Sequence, residues 1–172
     1  SIDFGSDMLF SSVIDHERNI YVAGMLKGVR KVSPQGKVLW TYSVPCSYAV
    51  LVGNAVCGET NTGSRTVFCL SLHTGLPFWS REVFPVAGIG GNQIEANRGV
   101  ILVSAGEFHV NGLTTMTGKA NDRAIGLNAT TGEELWQFKV SCGLWMFMGL
   151  FPDNDTTLFQ DQCGGVYRIG LF

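Results

Sequence analysis

Charge is what this sequence has least of. Asp, Glu, Lys and Arg make up 15% of 172 residues, against the quarter or so usual in globular domains, and 12 basic against 14 acidic groups leave a net charge of −2. No basic footprint for nucleic acid exists, and no acidic tail. With apolar residues at 45%, the chain is neither disordered nor a charged helical bundle. Long hydrophobic runs are missing too. Gly143–Phe151 and Gly99–Ala105 fall far short of the ~18 apolar residues of a spanning helix, so no membrane span is expected. The opening Ser1-Ile2-Asp3-Phe4 carries neither an initiator Met nor a leader pattern, so a processed chain or a segment of a longer one is expected.

Chemistry-bearing strings are equally sparse. There is no P-loop, GxSxG, HExxH or GxGxxG. The three histidines have no ligand spacing, and His16 and His73 sit in polar turns. Asp153-Asn154-Asp155 lacks the later Gly and Glu of a calcium loop and reads as an Asx turn. No catalytic residue, metal ligand or cofactor-binding residue is assigned, and no cofactor is expected. The five cysteines include no CxxC. Cys57 and Cys69 lie on consecutive strands and could come close. Cys46 and Cys142 take equivalent places after their tryptophans, which argues for packing, so buried free thiols are the expectation.

What the chain has instead is glycine, 22 of 172, and repetition. Ser33-Pro34-Gln35-Gly36-Lys37-Val38-Leu39-Trp40, His73-Thr74-Gly75-Leu76-Pro77-Phe78-Trp79 and Thr130-Thr131-Gly132-Glu133-Glu134-Leu135-Trp136 each place a glycine four residues before a tryptophan. A short candidate strand precedes each turn: Val29–Val32, Val67–Leu72 and Arg123–Ala129. A fourth copy, Gly165–Leu171, lacks turn and Trp. Val32, Leu70, Leu127 and Ile169 are 38, 57 and 42 residues apart. Earlier strand material completes the units: Met8–Ile14 with Ile20–Ala23, Ala49–Val52 with Ala55–Cys57, and Val100–Ser104. Units of about forty residues with four short strands predict an all-β β-propeller of four-stranded antiparallel blades. The units fall at about 5–43, 44–82, 83–140 and 141–172, the last without its outer strand. Residues 1–4 resemble the outer strand of another blade, with Phe4 where Tyr42 and Phe138 stand.

Gly126-Leu127-Asn128-Ala129-Thr130-Thr131-Gly132-Glu133-Glu134-Leu135-Trp136 resembles the PQQ-like repeat, whose blades end in A-L-D-x-x-T-G-x-x-x-W. Asn128 stands where that family has aspartate, Ser71 does so in the second unit, and the first turn is one residue shorter. The resemblance implies that each Trp docks on the neighbouring blade near its turn glycine. The structural motif is therefore Gly36, Trp40, Gly75, Trp79, Gly132 and Trp136. The family's seven or eight blades imply an arc of a larger ring, although four blades closing on themselves is the other reading. The expected function is a non-catalytic protein-interaction scaffold or accessory subunit, with a protein partner or larger assembly. The family also contains quinoprotein dehydrogenases, many with an adjacent Cys-Cys pair that this chain lacks, and luminal sensor domains. It implies a lean toward a non-cytosolic compartment. The third unit exceeds the second by 19 residues, and the excess fits Gly106–Asp122, making Phe108, His109, Leu113 and Met116 the candidate partner-binding loop, with Gly88–Asn92 on the same face. Asn128-Ala129-Thr130 and Asn154-Asp155-Thr156 are glycosylation sequons.

Overall fold

The computed structural model describes residues 5–60, 64–84, 94–105, 123–140, 144–150, 155–161 and 163–171. Fifteen strands run through them: β1 (Leu9–Ile14), β2 (Ile20–Gly24), β3 (Gly28–Val32), β4 (Val38–Tyr42), β5 (Ala49–Val52), β6 (Ala55–Glu59), β7 (Arg65–Ser71), β8 (Pro77–Phe84), β9 (Ile94–Asn97), β10 (Val100–Ala105), β11 (Arg123–Asn128), β12 (Glu134–Lys139), β13 (Leu144–Leu150), β14 (Thr156–Asp161) and β15 (Val166–Gly170). They pair as consecutive antiparallel meanders. Three sheets have four strands, and the fourth contains β13-β14-β15. This is an arc of β-propeller blades. Among the described residues no helix is long and apolar enough to cross a membrane.

The burial pattern explains the scarcity of charge. In a blade stacked between two others the inner strands face a neighbour on both sides, so alternation gives way to continuous burial, as in β6 and the middle of β11. Sheet two shows this residue by residue. Val56, Phe68 and Leu70 pack with Tyr21, Ala23 and Val29 of sheet one. Their strand neighbours Cys57, Val67 and Cys69 pack on Ile101, Val103, Ile125 and Leu127 of sheet three. A third core joins Val100, Leu102 and Ala124 to Leu144, Phe159 and Leu171. The described residues therefore form three interblade cores rather than one centre.

The turn between the third and fourth strands is built alike in three blades. Ser33 Oγ accepts from the amides of Gln35 and Lys37, Ser71 Oγ from His73 and Thr74, and Asn128 Oδ1 from Thr130 and Thr131. In each turn a short side-chain oxygen, from serine or asparagine, satisfies turn amides. The first turn is tighter, as Gly36 N donates to Ser33 O, whereas Gly75 and Gly132 reach back four residues to Ser71 and Asn128. All three glycines have positive φ, 86°, 72° and 74°.

One expectation is overturned. Cys57 and Cys69 are not free thiols but a disulfide, twelve residues apart in sequence. Equivalent positions in different blades do not reveal which cysteines are neighbours within one sheet. Within sheet two these residues lie directly opposite on β6 and β7, where cross-strand side chains are within bonding reach. Cys163 is also disulfide-bonded. Cys46 is the one free thiol among the described residues, buried and hydrogen-bonded to the Tyr48 carbonyl, with burial pushing its pKa up to about 12. Removing the β6–β7 crosslink by Cys57→Ala/Cys69→Ala is expected to cost about 3 kcal/mol by the loop-entropy relation for a loop of this size. Urea denaturation checks this: under oxidising conditions the double variant should be less stable than the parent, and reductant, which also opens the Cys163 disulfide in both chains, should remove that difference.

Candidate functional site

The tryptophans make the interblade contacts. Trp40 Nε1 donates to Leu72 O at 3.2 Å, Trp79 to Ala129 O at 2.9 Å and Trp136 to Leu171 O at 3.1 Å, each carbonyl belonging to the following blade. A Cβ placed on Gly75 would lie 2.7 Å from the Trp40 ring, and one on Gly132 would lie 2.6 Å from Trp79. The bare glycine lets the indole lie against the turn. Around the first contact, Lys31 Nζ also donates to Leu72 O, 5.5 Å above the Tyr21 ring, and Tyr21 donates to Asp15.

A β-bulge accompanies every docked tryptophan. Trp40 pairs with Lys31 but Val38 with Val32, Trp79 with Cys69 but Pro77 with Leu70, and Trp136 with Gly126 but Glu134 with Leu127. The extra residue is Leu39, Phe78 or Leu135, and each is about half exposed, at 48, 53 and 45%. Recurrence in three blades marks the bulge as a built feature that re-aims the side chain. Period-two alternation cannot reveal it, because a bulge breaks the period at one residue.

At the opposite end of the strands, blade two carries a buried ion pair where it meets blade three. Arg65 at the start of β7 and Glu59 at the end of β6 are 0 and 1% exposed, with Nε and Oε1 2.9 Å apart. The N–H is not aimed at the carboxylate, so the contact is electrostatic rather than an aligned hydrogen bond, and neither Glu59 oxygen has a donor among the described residues. Arg65 Nη1 donates to Ser104 O on β10 of the next blade. Burial raises the Glu59 pKa to about 7, even against the attraction of Arg65. A second buried pair, Asp7 with Arg30, sits in blade one, where Gly24 leaves space for the carboxylate. Both pairs escape a sequence reading, since each partner stands alone in its own strand or turn.

Apolar side chains are exposed on the first sheet: Leu9 and Phe10 are 41 and 45% accessible, with Met8 and Ile14 more so. Leu9, Phe10, Ser11, Ser12, Ile20 and Val22 line a cleft of about 350 Å³ there. A larger cleft, about 550 Å³, lies between blades two and three and is lined by Val52–Ala55, Phe78, Gly99, Ala129 and Thr130. The sequence-predicted loop residues Phe108, His109, Leu113 and Met116 lie outside the described residues, as do Gly88–Asn92, Asp153 and Asn154. Exposed His16 and His73 are in turns, as expected. Asp155 forms an ion pair with Arg98 across blades three and four.

No family model matches the sequence, and no curated protein does. Solved structures do. A computationally designed protein, Ika4, superposes with a TM-score of 0.75 at 10% identity, covering 100% of this chain and 96% of its own. The WD40 β-propeller domain of Doa1 gives 0.71 at 12% identity over 97% of this chain and 52% of its own. The Neurospora crassa Pan2 WD40 domain gives 0.64 at 12% identity, with 98 and 48% covered. The chain thus spans about half of each WD40 structure. At these identities the likeness establishes the propeller fold.

Proposed function

We propose that this chain is a non-catalytic propeller scaffold that binds another protein, built from PQQ-like repeats with tryptophan docking. The observation that carries the reading is the exposed apolar surface of the first sheet, where Leu9 and Phe10 border a cleft on rigid strands. Contiguous exposed apolar groups of this kind favour a protein contact, because covering them removes apolar area from water. The Trp40, Trp79 and Trp136 contacts with the next blade support the PQQ-like assignment. WD40 propellers commonly act as interaction scaffolds, which supports the functional one. The Cys57–Cys69 disulfide supports residence in an oxidising compartment.

The test places a photo-crosslinking phenylalanine at position 10 in cells that make the protein, with the same probe at exposed Arg18 as control. The expected result is one discrete protein adduct at position 10, absent at 18 and lost on adding Leu9→Asp. Adducts equal at both positions, or none, would overturn the reading.

A further inference from the structure

The three capped turns differ in one chemical respect. Ser33, Ser71 and Asn128 all supply an oxygen to the turn amides, but Asn128 alone also carries an amide nitrogen. Two residues on stands Thr130, where the other turns have Gln35 and His73, so Asn128-Ala129-Thr130 is a complete acceptor sequon. The cap commits Oδ1 to Thr130 N at 2.8 Å and Thr131 N at 3.2 Å. Nδ2 has no acceptor among the described residues and is not one of the buried unpaired nitrogens, so on this half-buried side chain it is left unbonded and not sealed from solvent. Thr130 is exposed and borders the cleft between blades two and three, whose rim at Gly53 and Gly99 is open space.

We propose that Asn128 is an N-glycosylation site. In the reaction Asn128 Nδ2 attacks the anomeric carbon of a polyprenyl-diphosphate-linked oligosaccharide. The N–C1 bond forms as the C1–O bond breaks, the polyprenyl diphosphate leaves with the bonding pair, and one amide proton passes to a base of the transferase. The product suits this fold because a glycosylated asparagine keeps Oδ1 as an acceptor, so the cap on Thr130 and Thr131 survives. The transferase works in the same oxidising compartment that forms disulfides such as Cys57–Cys69. A glycan here keeps the turn end of blade three in water.

The experiment translates the chain behind a cleavable signal in microsomes, alongside a known acceptor protein as a positive control. The Asn128 peptide is then read by mass spectrometry after peptide-N-glycosidase in heavy-oxygen water. Heavy-oxygen aspartate at 128 is expected in the parent and in Asn154→Gln, falling to background in Thr130→Ala. Asn128→Asp keeps an oxygen at the cap and should lose one enzyme-sensitive gel step without losing protease resistance. An unmodified Asn128 peptide from chains that are protease-protected in microsomes active on the control overturns the proposal, whether or not those chains have folded.

Discussion

Arg65→Ala is expected to lower the unfolding free energy by about 3–5 kcal/mol at pH 8, because it removes one partner of a buried ion pair. Arg65 and Glu59 are almost wholly withdrawn from solvent, and Arg65 also bonds the Ser104 carbonyl of the next blade. Alanine would leave the Glu59 carboxylate without its counter-ion, at the boundary between blades two and three. The cost should depend on pH in a definite direction. Glu59 has a folded pKa raised to about 7 from an ordinary 4.5, so the folded state binds the proton more tightly than the unfolded one. Its contribution to stability is therefore fully present below about pH 4.5 and is lost as pH rises through about 7. The Arg65→Ala deficit should be larger at pH 8 than at pH 5, where a protonated Glu59 no longer needs the guanidinium. Guanidinium denaturation at the two pH values reads both effects. Equal deficits would show that the ion pair is not what Arg65 supplies. Replacing both partners with apolar residues, Glu59→Leu with Arg65→Met, should recover most of the loss, since the desolvation of two charges disappears with them.

Trp79→Ala is expected to cost about 3–5 kcal/mol, the usual range for deleting a large packed aromatic. Trp79 adjoins the core formed by sheets two and three, so its removal opens a space between blades instead of merely trimming a surface. It also leaves the Ala129 carbonyl without its indole donor. Trp79→Phe separates the two terms: an aromatic ring remains and the hydrogen bond is lost, a deficit of about 1 kcal/mol. Gly132→Ala attacks the same contact from the other side, because its Cβ would meet the indole at 2.6 Å and its φ of 74° disfavours any side chain. In thermal or urea denaturation of the three variants, Trp79→Ala should be the least stable and Trp79→Phe the closest to the parent. A Trp79→Ala chain as stable as the parent would mean that the blades are not held together at this contact.

Several elements are legible in the sequence alone. Ala49–Val52 is β5 to the residue, and Met8–Ile14, Ile20–Ala23 and Val29–Val32 match β1, β2 and β3 within a residue at their ends. These runs sit between glycine and asparagine turns, and local backbone preference plus period-two burial is enough to find them. The third-to-fourth strand turns were legible for the same reason: a short polar side chain and a glycine four residues before Trp are local signals. The bulges at Leu39, Phe78 and Leu135 were not, because a bulge is a property of two strands and shows only when both registers are known. The Cys57–Cys69 bond belongs to the same class. Counting cysteines cannot show which two stand opposite each other in a ladder.

The repeat of turn glycine and tryptophan, the shortage of charge and the abundance of glycine were sufficient for the propeller architecture, because every blade needs two apolar faces and frequent tight turns. Beyond the tryptophan and turn-glycine contacts that the resemblance implied, which residues meet across blades was decided only in three dimensions. Glu59 and Ser104 are far apart in sequence and carry no shared pattern, yet Arg65 gathers both at one interface. Scarce charge is a compositional fact and can be read from one chain of letters. Where the few charges are buried depends on how one twisted sheet lies against the next, and stacking geometry is written in no single strand.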